Sequence, residues 1–174
     1  MIRWLFFGVI SLSFVALSGR SLIEMGSHGF WRFWAFECLL GLVVENSMYW
    51  FVKPLSGSQI LSWAMLLGSI LMAGHAVYLL RRTGRPNGSI EKTTELVTGG
   101  VYRYIRHPLY ASLILLGWGS ALKYPSWLAL GLAGAGTLLL FWTAYFEERE
   151  LLGRFGQRYL DYMRATKMFL PFVV

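Results

Sequence analysis

The sequence predicts an all-α, multi-pass membrane bundle of about five spans, and three observations point there. Of 174 residues, 56% are hydrophobic and only 14% charged, whereas soluble domains carry about a quarter charged residues. The mean hydropathy is +0.50. The apolar residues gather into five stretches near the roughly 20 residues needed to cross about 30 Å of hydrocarbon. No strand-then-helix pattern is present, which excludes a soluble dinucleotide-binding sheet. The same composition excludes disorder. The single cysteine, Cys38, forms neither an internal disulfide nor a cysteine-based metal site by itself.

The first stretch runs from Ile2 to Ser18, the second from Phe30 to Val52 and the third from Ile60 to Leu80. With Arg3 before it and Ala16, Ser18 and Gly19 behind, the first also fits a secretory signal. A span is preferred, because the rest of the chain is itself apolar enough to be embedded. A polar segment, Arg81 to His107, precedes a fourth stretch, Leu109 to Leu122, which is short for a full crossing. Lys123 to Ser126 then turn the chain at the helix-breaking Pro125, and Trp127 to Phe146 form the fifth. The brief connection predicts that spans four and five are a helical hairpin. Gly131, Gly134 and Gly136 lie inside the fifth, where small residues let helices approach. Beyond it Leu151, Phe155, Tyr159 and Tyr162 recur at helical spacing opposite Arg154, Gln157, Arg158 and Asp161. An amphipathic helix is expected, lying on the membrane surface or over the polar segment. The organisation is one membrane domain over residues 1–174. Residues 1–80 hold three spans, and residues 81–174 hold the polar loop, the hairpin and the final helix.

Cations set the expected orientation. Arg81, Arg82, Arg85, Lys92, Arg103 and Arg106 separate spans three and four, and Arg149, Arg154, Arg158, Arg164 and Lys167 follow span five. The Arg20 to Arg32 loop falls on the same side, while Arg3, Lys53 and Lys123 are sparse on the other. Positive loops stay cytoplasmic, so the N-terminus is expected outside and the C-terminus inside. The net charge of +7 is thereby a membrane feature rather than a nucleic-acid one. Aromatic residues near span ends, Trp4, Trp31, Trp50, Tyr78 and Trp127, fit interfacial anchoring by lipid. The expected surroundings are membrane lipids, with no nucleic acid and no obligate protein partner.

Two polar segments can carry chemistry. In the first, Gly99-Gly100 permits a tight turn and Pro108 suits the first turn of a helix. Span four therefore starts at His107-Pro108 and turns its partly positive end to the cytoplasmic face. That end, with Arg103 or Arg106 beside it, suits a carboxylate-bearing ligand; an ordinary basic loop before a span fits equally. The second is Glu147-Glu148-Arg149-Glu150. Acidic residues at a helix C-terminus oppose its dipole, so the helix continues, or the carboxylates bind a cation, or Arg149 neutralises a solvated face. Antiparallel hairpin geometry predicts that Glu147 lies near His107. His28, His75 and His107 are too scattered to predict a metal site. Glu37 and Glu45 sit in the second span, where carboxylates are functional suspects. Glu45 is the deeper, a candidate for substrate access or for a buried polar contact.

The residues Leu96-Val97, Gly100-Val101-Tyr102, Arg106-His107-Pro108-Leu109-Tyr110, Glu147-Glu148, Leu151, Phe155-Gly156, Tyr159, Tyr162 and the late Pro171 form an ordered pattern. It resembles the isoprenylcysteine carboxyl methyltransferases and is similar to the related membrane phospholipid methyltransferases, over about the last half of the chain. The resemblance implies an S-adenosylmethionine-dependent methyltransferase with a lipophilic acceptor. The acceptor would be an isoprenylcysteine carboxylate, a lipid amine or a thiol. It also implies that Thr94, Glu95, Leu96, Val97, Tyr102, His107, Pro108, Leu109, Tyr110 and Glu147 contact the cofactor at the cytoplasmic rim. The chemistry agrees: a carboxylate suits a helix N-terminus, an ammonium a glutamate, and an adenine aromatic packing. Arg106 and Glu148 are the candidates for a catalytic role. Thr143 stands where the isoprenylcysteine enzymes have an arginine associated with the acceptor, and threonine cannot grip a carboxylate bidentately. This substrate-side position therefore argues against a prenylcysteine carboxylate. The reading of another class is a non-enzymatic membrane scaffold, or a transport or assembly subunit, which cofactor binding would separate.

Overall fold

The structure is a computed structural model that describes residues 2–52, 55–85 and 93–171. Lys53 and Lys92, which enter the charge pattern above, lie outside the described residues. Six α-helices are present among the described residues: α1 (Ile2–Ser18), α2 (His28–Asn46), α3 (Gly57–Arg82), α4 (Pro108–Ala121), α5 (Trp127–Phe155) and α6 (Gln157–Ala165). The second apolar stretch is not helical to its end. A 3-10 turn, Ser47–Tyr49, follows Asn46. The fifth continues as one helix through the glutamates to Phe155, which removes the dipole conflict: Glu147 and Glu148 sit in a helix interior. Ser27 and Ser126 cap α2 and α5, their hydroxyls accepting from the backbone N–H of Phe30 and Ala129. Gly156, at φ +56, breaks α5 from α6, a conformation that disfavours side chains with a Cβ. The predicted single amphipathic tail is therefore two helices meeting at a glycine.

Among the described residues, α3 and α5 are long and apolar enough to cross a membrane; α4 and the Arg3–Ala16 part of α1 are apolar but shorter. Large hydrophobic side chains face outward along the bundle: Leu5 and Leu12 on α1, Ile70 and Leu71 on α3, Leu138 on α5. Exposed apolar side chains in this number suit a surface that meets lipid or another protein, and with α3 and α5 they suggest membrane association.

Helix α2 packs along α5 and α3 along α4, α4 also touches α5 and α2, and α1 lies on α2. Gly117 and Gly119 permit the approach of α4. A Cβ on Gly117 would lie 3.0 Å from Leu39 of α2, and one on Gly119 3.2 Å from the Ser62 carbonyl of α3. The expected role of Gly131 and Gly134 falls to these two instead, since neither has an atom within 4 Å of its would-be Cβ. Polar side chains tie the apolar helices at the end of α4, where carbonyls lack intrahelical donors. Ser62 donates to the Gly119 carbonyl at 2.6 Å and the Asn46 amide to that of Ser120 at 2.7 Å. Lys123 closes this end. Its side chain is buried, Nζ donates to Gln59 Oε1 at 3.1 Å and lies over the Trp63 ring.

Candidate functional site

At the opposite end, α4 begins where α5 carries its glutamates. Residues 99–107 lead into it. Gly100 turns at φ +59, and a Cβ there would strike Leu79 at 2.6 Å, so the turn sits hard against α3. Tyr102 is buried by this turn with Val97 and Ala76. The chain after α6 then runs beside the segment. Arg106 N–H donates to the Lys167 carbonyl at 2.8 Å, His107 N–H to Met168 at 3.1 Å, and Lys167 N–H to Tyr104 at 3.2 Å. Tyr159 and Tyr162 of α6 are buried, and Tyr162 Oη donates to the Tyr102 carbonyl at 2.6 Å. The tail is a floor over the polar loop, the second of the two placements its sequence allowed.

Between these elements lies a partly open cavity of about 320 Å³, within the range of small-molecule sites. Of the residues singled out in the sequence, Leu96, Val97, Tyr102, Arg106, His107, Pro108, Leu109, Tyr110 and Glu147 line it. Thr94 and Glu95 do not. Their N–H groups donate to the Gly84 carbonyl at 3.0 and 3.2 Å and brace the strip whose neighbour Thr93 forms wall. Thr143 is fully buried away from the cavity, its hydroxyl donating to the Leu139 carbonyl at 2.8 Å. Glu45 lies near the far end of α2 and lines nothing here; its carbonyl accepts from Arg3 at 3.4 Å. Neither residue is placed to meet a ligand in this cavity. Sequence reasoning missed Arg32 and Phe36 of α2, Ala73 and Leu80 of α3 and Ser112 and Leu113 of α4, which also line it. They carry no motif and reach the site only through packing.

A charged network ties the wall residues Arg106 and His107 to Glu148 behind them. Arg106 Nε donates to Glu148 Oε1 at 2.6 Å, and its Nη1 to the carbonyls of Met163 at 3.2 Å and Thr166 at 2.5 Å. His107 Nε2 meets the same Glu148 oxygen at 3.1 Å. Arg106 thus joins Glu148 to the tail, and Glu148 joins Arg106 to His107. His107 Nδ1 is 3.9 Å from Glu147 Oε2, beyond hydrogen-bond reach. The ring stacks on Tyr110, with centroids 5.5 Å apart. Outside the membrane helices, burial pushes the Tyr102 and Tyr162 phenols well above their usual range, so both remain donors. His28 Nδ1 meets Glu150 Oε1 at 2.7 Å and ties the start of α2 to the same end of α5.

Two buried oxygens here lack a hydrogen-bond partner, Glu147 Oε2 and Tyr159 Oη, and both residues line the cavity. Helix α4 opens with Pro108 and without a side-chain cap from His107, leaving first-turn N–H groups beside the cavity. An amino-acid nucleoside fits this set. Its ammonium suits the unpartnered carboxylate, its carboxylate the helix start, and its base the Tyr102, Tyr110 and Phe155 rings.

The chain matches the phospholipid methyltransferase family model over residues 58–158, more than half its length and all of α4. It is 32% identical over 118 residues to a methanethiol S-methyltransferase of Mycobacterium tuberculosis, covering 64% of this chain and 46% of the relative. To a methanethiol S-methyltransferase of Crocosphaera subtropica it is 26% identical over 142 residues, 80% of this chain and 51% of the relative. To a protein-S-isoprenylcysteine O-methyltransferase of Tribolium castaneum it is 33% identical over 86 residues, 48% of this chain and 31% of the relative. The chain spans about half the length of the first two of these relatives. No solved structure matches it.

Proposed function

Because the chain belongs to the phospholipid methyltransferase family, we propose that it is an integral-membrane methyltransferase that takes S-adenosylmethionine in the cavity between α4, α5 and the tail. The acceptor we propose is a small or lipophilic thiol. Five spans are proposed with the cavity on the cytosolic side and the N-terminus outside, as the basic segments require. The observation that carries the reading is Glu147 Oε2, a buried carboxylate oxygen on the cavity-lining residue Glu147 that has no hydrogen-bond partner. A buried carboxylate oxygen without a partner is costly and is relieved by a cationic ligand.

In this reading Glu147 holds the ammonium, the start of α4 holds the carboxylate, and Tyr102 and Tyr110 flank the base. The bound donor supplies an already activated methyl group. The chain's own work is then alignment and exclusion of water, for which Leu109, Leu113, Phe36 and Ala73 provide apolar wall. The thiol is favoured by the relatives named above, which include methanethiol S-methyltransferases. A carboxylate acceptor would have Arg32 as its cation on the wall, and a lipid amine would need none.

Calorimetry on detergent-purified protein tests the cofactor half. S-adenosylmethionine should bind saturably, and Glu147→Ala should weaken it at least tenfold; absence of binding to wild type defeats the proposal in favour of a scaffold. Methyl-labelled donor offered with short-chain thiols, prenylcysteine or a lipid extract tests the acceptor, with label expected on the thiol.

A further inference from the structure

One oxygen, Glu148 Oε1, receives two groups from the loop before α4: Arg106 Nε at 2.6 Å and His107 Nε2 at 3.1 Å. A carboxylate facing a guanidinium at that distance is an ion pair and only accepts. His107 Nε2 must therefore carry a proton. Glu148 cannot swing away, because Arg106 is itself pinned to the tail carbonyls of Met163 and Thr166. Nor can the ring turn over. Tyr110 stacks on the ring with centroids 5.5 Å apart, and the Phe169 ring lies 6.2 Å away.

With the proton on Nε2, a neutral imidazole leaves Nδ1 as a bare acceptor. That atom lies 3.9 Å from Glu147 Oε2, which has no hydrogen-bond partner. An Nδ1–H would have a buried carboxylate within easy reach and would close that gap; two acceptors have no reason to. We infer that Glu148 is a positioning residue that holds His107 in the Nε2–H form, so that Nδ1 and Glu147 make a paired acceptor for one ammonium group. This rests on the cofactor reading above and adds to it a second ligand-binding atom and the residue that sets it. The electrostatics follow the same line. The charged and titratable groups that line the cavity with the ring are Glu147, Arg32, Arg106, Tyr102, Tyr110, Tyr159 and Tyr162, and Glu148 meets the ring at Nε2. Arg106 is matched by Glu148, so the negative charge of Glu147 stays available to a ligand cation. An imidazolium would cancel that charge and repel the ammonium. Fixing a ring nitrogen through its partner on the other nitrogen is how proteins assign imidazole roles.

The test uses the full chain in detergent, labelled with nitrogen-15 at histidine, with His28→Gln and His75→Gln assigning the three rings. Wild type should show His107 protonated at Nε2 and unprotonated at Nδ1, before and after S-adenosylmethionine is added. In Glu148→Gln, which keeps the shape and removes the charge, a share of the ring should move to Nδ1–H. S-adenosylmethionine affinity should fall about tenfold, while that of 5′-methylthioadenosine, a nucleoside without an ammonium, stays unchanged. An Nδ1–H ring in wild type with S-adenosylmethionine bound overturns this inference and leaves the cofactor reading standing. Equal losses for both nucleosides overturn it as well, because they mark a purely structural role. If wild type binds no S-adenosylmethionine, the cofactor reading and the ligand half of the inference fail together, and the spectrum still decides whether Glu148 sets the ring.

Discussion

The two ends of the α4–α5 pair both bury charge, and they treat it in opposite ways. At the turn between the helices, Lys123 is buried with its ammonium on the Gln59 amide oxygen and against the faces of Trp63 and Trp50. Gln59 in turn donates to the carbonyls of Tyr49, Val52 and Lys123. The ammonium meets one oxygen and two ring faces. The buried atoms without a hydrogen-bond partner at this end (Asn46 Oδ1, Trp50 Nε1 and Ser120 Oγ) are neutral, and Lys123 does not line the cavity of the other end. At the other end, Arg106, His107 and Glu148 are satisfied by one another, but Glu147 Oε2 and Tyr159 Oη are not, and they face about 320 Å³. A charge whose partners are complete fastens helices together; a charge left incomplete beside open volume waits for a ligand. The contrast, more than either motif, separates structure from site.

The comparison breaks most readily at Arg106. Arg106→Ala leaves Glu148 buried without its cation and frees two tail carbonyls. A loss of about 3–5 kcal/mol of stability is expected, read as a fall in Tm; a Tm like wild type would mean that the network fastens nothing. Next is the far end, where Lys123→Met removes a cation–π contact and strands the Gln59 oxygen. The expected cost is about 2 kcal/mol, with S-adenosylmethionine affinity unchanged; weakened binding would erase the distinction between the two ends. Glu147→Gln sharpens it from the other side. Binding should fall at least tenfold while Tm holds or rises by about 1–2 °C, since an unpartnered charge is removed.

The smallest effect is alkaline. Folded Tyr102 and Tyr162 have phenols raised chiefly by burial, whereas unfolded phenols titrate near about 10. The folded chain thus holds protons that the unfolded chain releases, so stability is level below that value and falls as pH rises above it. Tyr162→Phe should flatten that decline in denaturation midpoints measured from pH 8 to 11, while losing about 1 kcal/mol at neutral pH with the bond to the Tyr102 carbonyl.

Much of the site was legible because its parts are local. His107-Pro108 announces the start of α4 through proline chemistry alone, and Ser126 marks that of α5. Glu147 comes near His107 because a short connection returns the chain. Other residues were illegible for equally physical reasons. Phe36 and Ala73 sit in apolar helices where nearly every position is hydrophobic, so periodicity does not reveal which side faces a cavity. Leu151 and Phe155 belong to α5 rather than to a separate tail helix, because the break falls at Gly156, where only the backbone conformation discloses it. Glu148 reads as the twin of Glu147, yet one helical step of about 100° places one on the cavity wall and the other behind it.

The order of apolar stretches, the helix starts and the pairing of a His-Pro start with a glutamate pair were determined by the sequence itself. Each depends on hydrophobic length or on the chemistry of one or two neighbouring residues. Tertiary structure alone decided which carboxylate would bond Arg106 and His107 and which would face the cavity. That choice depends on where the Arg106 guanidinium is pinned, and it is pinned by carbonyls about sixty residues away, which no local pattern encodes.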